Sequence, residues 1–154
     1  MRPIRNSAKA VIIQDNRLLL TVNQGQQGQY YLFPGGGQEP GETLREAVVR
    51  ECMEEIGQEV EPGELLCVRE YIGKNHQFAQ WDSEIHQVEF YFVCRLKADP
   101  SEVELRNGAV PDPAQIGVEW VELERLNEIE LYPKTLGTSF QRGKAGSVYI
   151  GDVN

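Results

Sequence analysis

Three glutamates, Glu51, Glu54 and Glu55, stand close together in the stretch RECMEEIG. In a helix they would occupy positions i, i+3 and i+4 and share one stripe of surface. Like charges at that spacing repel and cost a helix about 0.2–0.5 kcal/mol per pair. Mg²⁺ takes oxygen ligands and completes its coordination with water and phosphate oxygens, so such a stripe can hold it. The stripe is therefore interpreted either as a metal site or as a solvated helix face.

The stripe is part of a longer pattern, GGQEPGETLREAVVRECMEEIGQ, which covers residues 36–58. This pattern resembles the signature of the Nudix hydrolases, in which a glycine, five residues, a glutamate and seven residues precede Arg-Glu-aliphatic-any-Glu-Glu-any-Gly-aliphatic. The positions that agree are Gly36, Glu42, Arg50, Glu51, Glu54, Glu55 and Gly57. Two positions depart from it, because Cys52 and Gln58 stand where the signature has aliphatic residues. The agreement in register favours the metal site over the solvated face.

The resemblance implies hydrolysis of a phosphoanhydride, with water as the nucleophile, in a nucleoside diphosphate linked to another moiety. It implies Mg²⁺, or alternatively Mn²⁺, held by Glu51, Glu54, Glu55 and the carbonyl of Gly35. The catalytic candidates are Arg50, which orients and neutralises the acidic cluster, and Glu51 and Glu54. One of the three glutamates of the stripe, or Glu89, serves as the base. Within the motif, Gly36, Glu42 and Gly57 have structural roles.

Further candidates lie outside the motif. Glu89 alternates with apolar neighbours in a predicted strand, so it is either a further metal ligand or base, or an ion-paired residue of the sheet. Trp81 and Phe78 lie in the segment 73–85 and are candidates for stacking on a nucleobase. Arg5 is a candidate for contact with phosphate.

The substrate stays open among three classes, which are a nucleoside triphosphate, an ADP-sugar and a dinucleoside polyphosphate. An alternative function is a Nudix fold that senses a nucleotide without hydrolysing it. Proteins of that kind tend to lose carboxylates of the motif, whereas this motif keeps all of them, which favours the enzyme. Resembling proteins are commonly dimers, so a homodimer is a further expectation.

The motif predicts a helix over residues 42–57 that ends at Gly57, a typical C-cap residue. At about 100° per residue the apolar side chains form one arc, and the glutamates with Ala47 form another. The predicted core-facing arc comprises Val48, Val49, Cys52, Met53 and Ile56. Glycine and proline dominate residues 35–42, which predicts a loop in front of the helix.

The remaining pattern predicts mixed α/β structure in one domain, residues 1–154. Strands are predicted at 7–14, 17–22, 30–33, 64–72, 86–97, 117–123 and 147–153, with a second helical segment over 124–140. The strand 86–97 is apolar on both faces in its middle, which is typical of a central strand. The resemblance implies a Nudix-type α/β/α sandwich with a mixed β-sheet and one catalytic helix.

Composition restricts the partners. The formal net charge is −9, from 24 acidic and 15 basic residues, which argues against binding a nucleic-acid polymer or an acidic membrane. A phosphorylated small molecule is still compatible if a metal ion reverses the local charge. The three cysteines form no CxxC pair and are interpreted as reduced core thiols. No apolar run approaches the roughly 18–20 residues of a membrane span, and a cytoplasmic location is expected.

Overall fold

A computed structural model of the chain describes residues 2–143 and 147–154. Its strands are β1 (Arg5–Val11), β2 (Ile13–Gln14), β3 (Arg17–Gly25), β4 (Gly28–Leu32), β5 (Gly35–Gly37), β6 (Val60–Ile72), β7 (His86–Leu96), β8 (Gln115–Glu122), β9 (Leu131–Tyr132) and β10 (Tyr149–Asp152). Its α-helices are α1 (Leu44–Ile56), α2 (Ala79–Asp82) and α3 (Lys134–Arg142). Short 3₁₀ helices cover Gly73–Asn75, Pro100–Glu102 and Leu123–Glu128. Each predicted strand is present with shifted ends, and the one over 7–14 is divided at Ile12.

The strands form two sheets of five strands each. The first has the order β10-β6-β7-β1-β5 and is mixed, because β1 pairs in parallel with β7 and antiparallel with β5. The second has the order β2-β3-β4-β9, with β8 paired to β3. The strand predicted to be central, now β7, does lie in the middle of the first sheet.

Two hydrophobic cores lie on opposite faces of the strands. Neighbouring residues of a strand point to opposite faces, and Ala10 and Val11 of β1 accordingly belong to different cores. One core packs against α1, and the other includes Leu126 and Leu136 from the C-terminal helical region. The predicted α/β/α sandwich, with helices on both sides of β-structure, is confirmed. The β-structure consists of two sheets, whereas one mixed sheet was predicted.

Two sequence predictions are wrong in detail. Gly35–Gly37 is not loop, because it pairs with β1 as β5; a Cβ at Gly35 would overlap the carbonyl oxygen of Ala8, so only glycine permits this pairing. The helical segment predicted over 124–140 is interrupted by β9. The helix α3 begins only after Pro133, and proline disfavours helical conformation in the residue before it.

Helix α1 has the predicted position and a different buried face. Thr43 caps its N-terminus by accepting a hydrogen bond from the Glu46 N–H at 3.1 Å, and Gly57 ends it with φ 65°. Met53, predicted to face the core, is 47% exposed, whereas Glu55 is only 3% exposed. Ala47, which was assigned to the acidic arc, is fully buried. The face is rotated because α1 packs on β1 and β5 together.

Candidate active site

The glycine strand β5 lies between β1 and the acidic side of α1, and each glycine permits a close contact. The Gly35 N–H donates to Glu55 Oε1 at 2.9 Å, and the Gly37 carbonyl accepts from Arg50 Nη2 at 2.9 Å. A Cβ at Gly36 would lie 2.6 Å from Glu51 Cδ, so a side chain there would displace the Glu51 carboxylate. The glycines therefore let the helix carboxylates lie directly against backbone.

Arg50 joins the loop, the glycine strand and the acidic residues. Its guanidinium binds Glu42 through two hydrogen bonds, of 3.1 Å from Nε and 2.7 Å from Nη2. Its Nη1 donates to Glu51 at 2.9 Å and to Glu54 at 3.3 Å. These hydrogen bonds lower the pKa of Glu42 and raise that of Arg50, so both groups stay charged. The predicted roles of Arg50 and Glu42 agree with this geometry.

Glu55 is the most enclosed carboxylate of the cluster. Burial raises its pKa to about 8; the positive charge of Lys9 opposes this shift, and the neighbouring carboxyl group of Asp112 adds to it. Burial also raises the pKa of Glu51, against the effect of Arg50. The sequence interpretation missed Lys9 and Asp112, because they come from β1 and from the segment before β8, both distant in the chain from α1.

The oxygen donors of this cluster fit a hard divalent cation. In the described parts of the chain, no three His, Cys, Asp or Glu side chains are arranged to hold a metal ion as they stand. Glu51 and Glu54 each accept a hydrogen bond from Arg50 in this arrangement. The side chain of Glu54 is 37% exposed, whereas Glu55 is buried and accepts a hydrogen bond from the Gly35 N–H.

A cavity of about 750 Å³ opens beside the glycine strand. Its floor is the first sheet, and its rim includes the β3–β4 turn and the segment that carries α2. The predicted substrate-binding residues Arg5, Phe78 and Trp81 all line it, as do Gly35 and Gly36. The structure thus brings the substrate-binding candidates from outside the motif and the motif glycines to one cavity. Its size is typical for small-molecule ligands.

The aromatic wall of the cavity is held in place by contacts with two other elements. The Phe78 ring meets Tyr132 edge to face, with centroids 5.3 Å apart, and Trp81 is 49% exposed. The hydroxyl of Tyr71 donates to Asp82 at 2.7 Å, which ties α2 to β6. The wall therefore offers one exposed indole on an otherwise anchored segment.

A second anchor for this segment comes from Asp152 in β10. Its carboxylate accepts from the Ile72 N–H at 2.9 Å and from Asn75 Nδ2 at 2.8 Å, and lies 2.6 Å from His76 Nε2. The sequence interpretation also missed Asp152, whose partners lie almost eighty positions earlier in the chain.

Glu89 lies on the cavity floor and is ion-paired. It is 3% exposed, and Arg69 binds both of its oxygens, at 3.0 Å from Nε and 3.1 Å from Nη2. The Tyr91 hydroxyl donates to it at 2.6 Å. Burial alone would raise the pKa of Glu89, but the charges of Arg69 and Lys9 and these hydrogen bonds bring it below the ordinary value. These contacts agree with the ion-paired interpretation, and a role as base stays a prediction.

Comparison with known proteins identifies the family of the chain. The model of the NUDIX domain matches residues 3–140. The chain belongs to the Nudix family. The predicted family and fold class are thereby confirmed. No helix in residues 2–143 or 147–154 of this Nudix protein is long and apolar enough to cross a membrane.

Two curated relatives and one solved structure illustrate the similarity. Nucleoside diphosphate-linked moiety X motif 6 of Mus musculus is 28% identical over 121 residues, 79% of this chain and 32% of that protein. An RNA pyrophosphohydrolase of Baumannia cicadellinicola is 31% identical over 86 residues, 52% of this chain and 54% of that protein. The chain thus spans about half or less of the length of these relatives. A NUDIX hydrolase from Nitrosomonas europaea has the same fold, with a TM-score of 0.70, 19% identity, and coverage of 93% of this chain and 91% of that one.

Proposed function

We propose that the protein is a metal-dependent pyrophosphohydrolase acting on a nucleoside diphosphate linked to another moiety. The observation that carries this proposal is that all the acidic residues of the motif are present beside a glycine strand at the edge of a ligand-sized cavity. The name of the RNA pyrophosphohydrolase relative supports the same type of reaction. The substrate is a small-molecule nucleotide in this proposal. The homodimer and the cytoplasmic location stay predictions.

The acidic residues of α1 have assigned roles in the proposed reaction. Glu51, Glu54, Glu55 and the carbonyl of Gly35 would hold Mg²⁺ or Mn²⁺. When bound, the metal supplies positive charge for the diphosphate and lowers the pKa of the attacking water. Arg50 keeps two of the carboxylates oriented and balances their repulsion in the absence of a cation.

The cavity contributes binding and orientation. The exposed Trp81 ring provides a surface on which a base can stack. Glu51, Glu54 and Glu89 are the candidates for the group that accepts a proton from water. Glu89 is the weakest of these, because Arg69 and Tyr91 already occupy its oxygens.

The test is a panel of nucleoside triphosphates, ADP-sugars and dinucleoside polyphosphates, each with Mg²⁺, with Mn²⁺ and with EDTA. Chromatography of the nucleotide products, together with phosphate and pyrophosphate assays, identifies the bond cleaved. We expect metal-dependent hydrolysis of at least one class and none in EDTA. Saturable nucleotide binding without any product would instead establish the binding-only alternative.

A further inference from the structure

We propose that β1 carries a phosphate-binding stripe, formed by Arg5, Ser7 and Lys9, that selects substrates with three or more consecutive phosphates. The inference rests on the proposed function and specifies its substrate class. The three residues alternate along the strand and therefore share one face. All three line the cavity.

The stripe runs directly alongside the glycine strand. In the pairing of β1 with β5, Ser7 lies opposite Gly37 and Lys9 lies opposite Gly35. Gly35 also donates to Glu55 of the acidic cluster. A phosphate chain that begins at the acidic cluster and continues across β5 into the cavity therefore meets the stripe next.

The two cations of the stripe have free hydrogen-bonding capacity. A lysine ammonium has three donors, and Lys9 makes a single long hydrogen bond, of 3.4 Å, to the carbonyl of Phe33. Within the described ranges, neither Arg5 nor Lys9 has a carboxylate within salt-bridge distance, and the Arg5 side chain donates no hydrogen bond. Gly37 leaves room for the Arg5 guanidinium, since a Cβ there would lie 2.5 Å from Arg5 Cζ.

Within the described ranges four acidic residues line the cavity; Glu89, Asp82 and Glu130 have other side-chain partners, and Asp112 lies beside Glu55. Glu89 is neutralised by Arg69, which binds both of its oxygens. Asp82 accepts from the Tyr71 hydroxyl at 2.7 Å, at the aromatic wall. In a chain of net charge −9, Arg5 and Lys9 form no salt bridge within the described ranges and provide a local attraction for an anion, although Lys9 also acts on the charges of Glu55 and Glu89.

The length of the stripe favours an oligophosphate over a diphosphate-linked sugar. Arg5 and Lys9 are four residues apart on one strand, which separates their Cα atoms by about 13 Å. Because Lys9 lies opposite Gly35, a diphosphate held at the acidic cluster would meet only the Lys9 end of the stripe and would leave Arg5 without a phosphate. A third and a fourth phosphate would extend along it, with the nucleobase directed to Trp81.

The test compares inorganic tripolyphosphate with inorganic pyrophosphate, bound to the full chain with Mg²⁺ present, by isothermal titration calorimetry. We expect tripolyphosphate to bind at least about tenfold more tightly, as charge-assisted hydrogen bonds to an extra phosphate imply. Arg5→Gln and Lys9→Gln should each reduce this preference several-fold. The matched control is Lys97→Gln, which removes one positive charge from an exposed pair with Glu59 and should keep the preference.

Equal affinity of the wild type for tripolyphosphate and pyrophosphate would overturn the proposal. An unchanged preference for tripolyphosphate in both Arg5→Gln and Lys9→Gln would also overturn it. Arg5 is exposed, so its variant tests the stripe even if Lys9→Gln does not fold. In the enzymatic assay, the ratio of kcat/KM for a nucleoside triphosphate to that for an ADP-sugar should fall in both variants. The binding comparison needs no turnover, so it tests the stripe independently of the proposed activity. If no substrate were hydrolysed, the proposed activity would be refuted, and tripolyphosphate binding would still show whether the stripe binds phosphate.

Discussion

Arg50 binds both carboxylate oxygens of Glu42, which stands eight positions earlier, at 3.1 Å from Nε and 2.7 Å from Nη2. Glu42 in turn accepts a hydrogen bond from the Glu39 N–H at 2.8 Å. The pair therefore holds the segment between the glycine strand and α1, residues 38–43, against the helix. Only a planar guanidinium can make this two-pronged contact and still reach Glu51 and Glu54.

Arg50→Lys should accordingly be a disruptive change although it keeps the charge. A lysine cannot bind Glu42 through two parallel hydrogen bonds, and hydrogen bonds to charged groups contribute about 1.5–3 kcal/mol each. We expect unfolding free energy to fall by about 1–3 kcal/mol and kcat to fall by about tenfold or more. Denaturant unfolding and steady-state kinetics measure the two effects. Arg125→Lys, at an exposed pair with Glu128, is the control and should change neither.

Trp81→Ala should weaken substrate binding more than it slows the chemical step. The indole is 49% exposed at the cavity rim, so its removal leaves little buried void. Base–aromatic stacking contributes about 1–3 kcal/mol and acts equally on substrate and transition state, so KM should rise roughly 5- to 150-fold with kcat nearly unchanged. Trp81→Phe, which keeps an aromatic face, should recover most of the affinity. An unaltered KM in the alanine variant would remove Trp81 from the binding site.

The helix and its acidic residues could be predicted from sequence because their determinants are local. The signature is contiguous, and the caps Thr43 and Gly57 adjoin the helix they end. The burial of Glu55 and the exposure of Met53 could not be predicted, because they depend on where β5 packs against α1. Periodicity separates the faces of a helix but does not determine which neighbour each face will meet.

Lys9 and Asp152 show a second limit of sequence interpretation. Lys9 is one lysine in a strand of ordinary pattern, and its position opposite Gly35 follows only from strand pairing. Asp152 anchors residues 72–76 through β10, which pairs with β6 despite the long separation in sequence. No local motif marks either residue, since their contacts arise from sheet order.

Glu89→Gln should mainly destabilise the fold. The side chains of Glu89 and Arg69 are 4% and 6% exposed, and breaking a buried ion pair leaves the guanidinium without its counter-charge. Such a loss typically costs about 3–5 kcal/mol. We expect a clear fall in Tm, with activity per folded molecule preserved. A fall in kcat of about tenfold or more in folded protein would instead assign Glu89 a catalytic role.

The same ion pair should contribute to acid sensitivity. The pKa of Glu89 is lowered in the folded protein, so its contribution to stability is present above the pKa of an unfolded glutamate and is lost as pH falls through the folded value. Wild-type stability should therefore decline as pH drops below the ordinary glutamate range. Glu89→Gln should show a shallower decline, measured by urea unfolding at a series of acidic pH values. Parallel pH profiles would contradict this assignment.

Glu54→Gln tests whether the acidic stripe exists to hold a metal ion. The side chain is 37% exposed and its contact with Arg50 is 3.3 Å long. Losing its charge removes a weak attraction to Arg50 and also the repulsion from the neighbouring glutamates, and the two effects oppose each other. Stability without metal should therefore change by no more than about 0.5 kcal/mol.

The effect of Mg²⁺ on the same variant should be large. A ligand that binds only the native state raises stability by mass action, so the Tm increase that Mg²⁺ gives the wild type should shrink when one carboxylate is lost. The kcat should fall by about 10²-fold or more, because the metal stabilises charge in the transition state. Glu46→Gln, on the first turn of the same helix and outside the cluster, is the matched control and should retain both the Mg²⁺ response and the activity. If Glu54→Gln retained them as well, the stripe would be a solvated helix face and the proposed hydrolase activity would lose its metal site.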